Sequence, residues 1–279
     1  MSESDLIRPI LDGIDALEGA NPVNNLAGGP ASDSWLLEAG SRRFVVRIDK
    51  AAARTLGLDR QAEREILKSV SSAGIAPRLI WSDPGQGIQV CSYIEGESWT
   101  MEDTHKPELL RELAQTLRKL HELPAVGPQF DPEAAANRYA SQIGTAAAGR
   151  IAERAGRLAA KLKAETTRPA LCHNDLVHSN IVHDGPVYLI DWEYAAVGDA
   201  CFDLAVVVRH HRLSQALTEV FMRAYFGNPR PAEYEKLASF GTLYDYLAGL
   251  WYLFMAKQLG SSPSIAEELS RAMARLDLP

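Results

Sequence analysis

The apolar positions change their period once along the chain, near residue 96. Before that point they fall in strand-length runs. Val23 to Leu26, Trp35 to Glu38 and Arg43 to Ile48 read as strands, the last two joined by the Ala39-Gly40-Ser41 turn. Leu79 to Trp81 and Gly87 to Tyr93 read as two more, around Asp83-Pro84-Gly85. One helix interrupts them. Ala62, Ile66, Leu67 and Val70 recur at helical spacing from about Arg60 to Ala73, with Asp59 or an adjacent residue as its cap. Leu6, Ile10, Leu11, Ile14 and Leu17 predict a short amphipathic helix within residues 1–20. After Gly96 the helical period takes over: Pro107 to Leu120, Pro132 to Leu162 with a break near Gly144, Ala200 to His211, Leu213 to Tyr225, Pro231 to Leu259 with Gly241 and Gly249 as points of bending, and Ser264 to Leu276. The expected class is α+β, with a strand-rich first region at 1–91, a connection at 92–96 and a helical region at 97–279.

Composition adds exclusions. The 279 residues suffice for a sizeable core, and 46% hydrophobic with 23% charged content is ordinary for a globular chain. No apolar run approaches the roughly 18 residues of a membrane span. The N-terminus MSESDLIRPI lacks a basic segment followed by an apolar one, so the expectation is a cytoplasmic protein without a signal peptide and with no membrane partner. Three well-separated cysteines, Cys91, Cys172 and Cys201, argue against a disulfide framework or a zinc site, and Cys172 reads as a small buried residue. A formal net charge of −7 speaks against a nucleic-acid partner and is compatible with a cationic small molecule. The oligomeric state is left open.

The chemistry concentrates in Leu171 to Asp191, LCHNDLVHSNIVHDGPVYLID. His173-Asn174-Asp175-Leu176, with Asn180 five residues after the Asp, fits the pattern H-x-D-L-x-x-x-N. Ile181 to His183 and Val187 to Ile190 predict a tight hairpin around Asp184-Gly185-Pro186, which returns Asp191 beside Asn180. Phosphoryl transfer uses this set: one Asp to accept a hydroxyl proton, and an Asn and a second Asp to hold Mg²⁺ through oxygen. Each residue alone has an ordinary structural use in a turn or cap; the combination carries the argument. Upstream, the Gly28-Gly29-Pro30 turn between two strands suits either a plain hairpin or a cover over phosphates. Arg47, in Val45-Val46-Arg47-Ile48, either points inward toward a nucleotide or lies exposed.

On these motifs the sequence resembles the choline kinase, thiamine kinase and aminoglycoside phosphotransferase superfamily, whose fold is like that of protein kinases, and within it the choline kinase-like branch. CHNDLVHSNI resembles the family's catalytic loop, implying Asp175 as catalytic base, Asn180 as a Mg²⁺ ligand and His173 as a structural residue. LIDWEYA resembles its metal-binding segment, implying Asp191 as the principal Mg²⁺ ligand. NLAGGPASDSW resembles the nucleotide-positioning loop, implying Gly28, Gly29, Ser32 and Asp33 near ATP phosphates, although a full G-x-G-x-x-G is absent and Ser32-Asp33 stands where relatives often have Thr/Ser-Asn. VVRI resembles the third strand of the small lobe, with Arg47 on phosphates and Glu63 as its partner. VCSYIEG resembles the hinge, whose backbone at Ser92, Tyr93 and Ile94 would hold adenine. Asp203 in CFDLA matches a residue that braces the catalytic loop. The resemblance thus implies a two-lobed fold: a nucleotide-binding lobe at 1–91, a hinge at 92–96, and a catalytic and substrate-binding lobe at 97–279. It also implies ATP with Mg²⁺.

The acceptor is read from the stretch YDYLAGLWYLFMAK, whose GLW portion resembles the choline kinase helix that supplies aromatic walls for a quaternary ammonium. Trp251 and Tyr244 are the candidate aromatic contacts, and Asp245 or Glu193 the candidate carboxylate. Aromatics at helical spacing serve equally well as core. The expected function is γ-phosphate transfer to a small cationic alcohol, choline or similar. Thiamine kinase and aminoglycoside phosphotransferase are the alternatives within the superfamily. A nucleotide-binding pseudokinase is the alternative outside it, against which the intact Asp175, Asn180 and Asp191 argue.

Overall fold

The structure is a computed structural model, and the residues described are 11, 13–26, 28–51, 53, 56–166, 168–260 and 262–276. They form two compact units. The first comprises 1–99 and 179–195, the second 100–178 and 196–279. The first break thus falls just past the 92–96 connection marked by the change of period, and 179–195 groups with the strand-rich unit.

The first unit is built on a five-stranded antiparallel sheet of β1 (Asn21–Leu26), β2 (Ser32–Ala39), β3 (Arg42–Asp49), β4 (Leu79–Asp83) and β5 (Ile88–Ser92), in the spatial order β1-β2-β3-β5-β4. Strand alternation decides its two faces. Leu37, Phe44, Val46, Ile88 and Val90 turn into one apolar cluster with Leu11, Ile14 and Leu17. Leu37, Val46 and Val90 are fully buried there, each stabilising the fold by about 1.5–3 kcal/mol relative to exposure. Arg47, between Val46 and Ile48 on the central strand, projects from the opposite face. Helix α1 (Arg60–Ser72) buries Ile66, Leu67 and Val70, and the Asp59 side chain caps it by accepting from the Ala62 N–H at 2.9 Å. A small sheet of β6 (Glu97–Ser98), β8 (Ile181–His183) and β9 (Val187–Leu189) completes the unit; the second unit contributes β7 (Ala170–Cys172) and β10 (Ala196–Gly198), which pair antiparallel.

The remainder of the second unit is helical: α2 (Pro107–His121), α3 (Pro132–Ile143), α4 (Ala146–Glu165), α5 (Ala200–His210), α6 (Gln215–Phe226), α7 (Pro231–Leu259) and α8 (Pro263–Arg275). The break between α3 and α4 has a local cause. Gly144 sits at φ 73°, in the left-handed region where a Cβ is penalised, and Thr145 then caps α4. Helix α7 is the hub, with α3, α4, α5 and α8 packed along it, and it runs unbroken through Gly241 and Gly249.

The helix expected within residues 1–20 falls largely on 1–10 and 12, which lie outside the described residues; Leu11 is helical, and Asp15–Leu17 is a single 3₁₀ turn. The buried Leu11, Ile14 and Leu17 are spaced by three, which suits a 3₁₀ repeat as well as an α-helix. The strands β6, β7 and β10 were not legible, because two or three residues are too few to display a period and no tight turn marks them as Asp184-Gly185-Pro186 marks β8 and β9.

Candidate active site

The first unit holds a dense charge network on the face of the sheet that carries Arg47. The Arg47 guanidinium is buried. It donates from Nη2 to Glu63 Oε2 at 2.6 Å and from Nη1 to Asp191 Oδ1 at 3.3 Å. The inward alternative for Arg47 is therefore the observed one. Arg60, the first residue of α1, binds Asp49 in a two-pronged pair at 2.6 and 2.9 Å, and from Nη1 reaches both Glu63 at 2.8 Å and Glu193 at 3.1 Å. Burial opposes the charged form of Glu63, but the two guanidiniums outweigh it and hold its carboxyl below the usual range. Arg47 is correspondingly held protonated. Glu193 goes the other way. Burial first, and then the charge of Asp191, push its carboxyl up to about 8.

Asp191 and Asn180 are brought together by the β8–β9 hairpin. The Ile190 N–H donates to the Asn180 carbonyl at 3.0 Å, so the residue after Ile190 emerges beside Asn180. Asn180 is buried, whereas the Asp191 side chain is 41% exposed. Asp191 has φ 63°, a conformation that Asp tolerates better than most residues and that turns its carboxylate out of the strand direction. Two hard oxygen donors with a second, charge-strained carboxyl close by make a chemically suitable setting for a divalent cation such as Mg²⁺.

The glycine turn lies at 28–31. A Cβ on Gly28 would meet the Ser32 carbonyl at 2.8 Å, so the loop folds too tightly on itself for any larger residue. Lys50 braces it, donating to the Gly29 carbonyl at 3.0 Å and pairing with Asp33 at 2.7 Å. Asp33 is thus partly neutralised, and Ser32 is buried. At the expected hinge, the Ser92 N–H donates to the Arg78 carbonyl at 2.8 Å and the Tyr93 N–H to the Arg43 carbonyl at 3.0 Å. Both donors serve the sheet, which shifts any base-binding donor of this stretch toward Ile94.

In the second unit, the loop after β7 is held from beneath by Asp203 on α5. Its two oxygens accept the backbone N–H groups of His173 at 2.8 Å and Asn174 at 2.7 Å. The His173 ring, fully buried, accepts the Asp175 N–H through Nδ1 at 3.3 Å. Asn174 has φ 66°, and the turn it makes leaves Asp175 half-buried. Asp203 is itself supported: His121 Nε2 lies 3.0 Å away, and His121 Nδ1 bonds to the Tyr225 hydroxyl at 2.7 Å. A carboxylate only accepts, so Nε2 carries the proton and Nδ1 accepts from the tyrosine.

The four expected acceptor residues are divided between the two units. Glu193 belongs to the first unit, in the arginine network. Tyr244, Asp245 and Trp251 lie on α7 in the second. Asp245 is 2% exposed, paired with Arg275 at 3.0 Å and Arg209 at 3.6 Å. The Tyr244 hydroxyl bonds to His210 Nδ1 at 3.1 Å. Burial, followed by the charges of Tyr252 and Asp175, keeps Tyr244 protonated, so these three share one neighbourhood. Trp251 is half-buried, edge-on to Tyr252 with centroids 5.0 Å apart, whereas Phe254 is core and packs on Tyr139. Cys172 is fully buried, and its thiol is pushed up by burial and by Asp203, which makes it inert.

Arg60, Asp49, Lys50 and His121 were not singled out from the sequence. Arg60 at a predicted helix start reads as a poor dipole partner, and that misplaced cation was the one available signal.

Residues 23–240 match the model of the Phosphotransferase enzyme family, and the chain belongs to that family. The relatives include Protein LicA of Haemophilus influenzae, 26% identical over 71% of this chain and 61% of that protein. Thiamine kinase of Escherichia coli O17:K52:H18 is 31% identical over 67% of this chain and 66% of that one. The chain therefore spans less than two thirds of either relative's length. The fold is shared with the choline kinase LicA from Streptococcus pneumoniae, at a TM-score of 0.82 and 23% identity, covering 97% of this chain and 98% of that one. The α+β, protein-kinase-like class is thereby established.

Proposed function

We propose that the chain is an ATP- and Mg²⁺-dependent small-molecule kinase that transfers the γ-phosphate to the hydroxyl of a small cationic alcohol, choline or a close analogue. The observation that carries the reading is the Arg47–Glu63–Asp191 array. It is a buried cation, fixed by one carboxylate, beside a second carboxylate that emerges next to Asn180. Arg47 supplies fixed positive charge for phosphate oxygens, and Glu63 with Arg60 keeps it from reorienting as the reaction proceeds. Asn180 and Asp191 would hold Mg²⁺, with Glu193 adjacent; when bound, Mg²⁺ neutralises charge on the transferring phosphoryl group. Gly28 and Gly29 allow backbone N–H groups close to phosphates, with Ser32 alongside. The backbone of the 92–94 stretch takes the adenine, with Ile94 supplying the N–H donor because those of Ser92 and Tyr93 serve the sheet, and Asp175 accepts the proton of the attacking hydroxyl. As the hydroxyl oxygen bonds to the γ-phosphorus, its proton passes to Asp175 and ADP leaves.

Choline is favoured by the half-buried Trp251 and Tyr252 faces, which suit a quaternary ammonium, and by the LicA relatives. A specific observation keeps thiamine as the second reading: the thiamine kinase relative is 31% identical where LicA of Haemophilus influenzae is 26%, and thiamine too is a cation bearing a primary alcohol. ADP release would be followed with choline, ethanolamine, thiamine, amino sugars and aminoglycosides in turn. Choline or ethanolamine should dominate. Turnover confined to thiamine moves the assignment to the second reading, and absence of turnover with any alcohol rejects the kinase.

A further inference from the structure

Three histidines of the second unit converge outside the residues assigned above. His178 opens the short 3₁₀ turn His178–Asn180, His210 ends α5, and His211 follows it. Their ring centroids are 5.0 Å apart for His210–His211, 5.9 Å for His178–His210 and 6.0 Å for His178–His211. One ring nitrogen from each lies within 4.8 Å of the other two.

The hydrogen bonds define what these nitrogens present. His211 is fully buried, and its Nδ1 lies 3.0 Å from the Val207 carbonyl. A carbonyl only accepts, so Nδ1 carries the proton and Nε2 presents a lone pair. That Nε2 is buried with no hydrogen-bond partner among the described residues, and so is Nδ1 of His178. Buried polar atoms are rarely left unsatisfied, and two ring nitrogens in one cluster is an unusual concentration. His210 is oriented by the Tyr244 hydroxyl at 3.1 Å. The nearest cation in sequence, Arg212, is paired with Glu268 at 2.9 Å. Such a set, a neutral imidazole with its tautomer fixed by a backbone carbonyl and an unused lone pair on the other nitrogen, has the chemistry of a metal ligand.

We propose that His178, His210 and His211 form a transition-metal site that takes Zn²⁺, or a similar borderline ion such as Co²⁺ or Ni²⁺, through one ring nitrogen each. Zinc–nitrogen bonds of about 2.1 Å at tetrahedral angles put ligand atoms about 3.4 Å apart. The half-buried rings of His178 and His210 have room to close by that ångström or so. Nitrogen donors distinguish this site from the oxygen donors Asn180 and Asp191, which suit Mg²⁺. Three ligands leave a fourth position open. The bound ion would tie the segment three residues after Asp175 to the end of α5, the helix that carries Asp203.

The test uses the full chain without an affinity tag, stripped with EDTA and then loaded with Zn²⁺ or Co²⁺ in excess Mg²⁺, which keeps the oxygen site occupied. The expected result is about one Zn²⁺ retained per chain after gel filtration, tetrahedral Co²⁺ bands in the visible spectrum, and a Tm raised by roughly 5 °C. His178→Gln and His210→Gln, both at half-buried positions, should each lose at least about tenfold in Zn²⁺ affinity and abolish the Co²⁺ bands. Retention far below one equivalent by the unaltered chain overturns the site. So does affinity left unchanged by either substitution, which would place the ion elsewhere.

Discussion

Asp175 acts, in the proposed reaction, through its protonation state and its position. Asp175→Asn keeps the shape of the loop and removes the acceptor, so kcat should fall by roughly 10² to 10⁴ while nucleotide affinity changes little. Nucleotide titration beside steady-state rates separates the two, and a kcat within tenfold of the original rejects the base. Glu63 is a different kind of residue. Its Oε2 serves Arg47 and Arg60 together. Glu63→Gln leaves two buried guanidiniums facing a neutral amide, and the expected cost is roughly 3–5 kcal/mol of folding stability. Denaturant midpoints should show that loss, accompanied by weaker nucleotide binding. An unchanged midpoint would mean that Asp49, Asp191 and Glu193 suffice.

The elements matter by where they deliver these side chains. Asp203, on α5, receives two backbone N–H groups of the loop after β7, so Asp203→Ala strands a buried donor at His173 and a partly buried one at Asn174, at up to about 1–3 kcal/mol each. The loop loses its anchor as well, and a displacement near 1 Å at Asp175 is enough for about a hundredfold loss of rate. A stability loss without a rate loss would limit Asp203 to folding. The β6–β8 pairing, which fastens the 179–195 segment to its unit, depends on a glycine. A Cβ built on Gly96 would stand inside the van der Waals shell of the His183 carbonyl. Gly96→Ala should therefore destabilise by roughly 1–3 kcal/mol, whereas Gly29, with nothing among the described residues within 4 Å of its Cβ position, should accept alanine far more readily. Equal effects at the two positions would contradict the packing argument.

For the whole molecule, the buried histidines set an acid limit. His210 is pushed down to about 4, mainly by burial and then by the charges of His178, Arg212 and Arg275; His211 is lowered too. Below the ordinary histidine value near 6.5 the unfolded chain binds protons that the folded chain refuses. Their contribution is thus complete above pH 6.5 and is lost as pH falls from there toward about 4. Urea midpoints measured in EDTA should decline over that window, and His210→Gln should flatten the decline. A slope untouched by the substitution would assign the acid sensitivity to other groups.

Period and local chemistry were enough to write most of the element order from the sequence. They gave the α1 cap at or beside Asp59, the break at Gly144 and the hairpin that returns Asp191 to Asn180, because each is decided by residues within a few positions of one another. Partners across the chain were another matter. Arg60 binding Asp49, Glu63 and Glu193, His121 behind Asp203, Arg209 and Arg275 neutralising Asp245, and the meeting of His178 with His210 and His211 all follow from register and helix packing. A carboxylate or imidazole is the same letter whether it faces water, an arginine or another imidazole. Its pKa, and with it its chemistry, is fixed by burial and by neighbours that only the folded chain brings within a few ångströms.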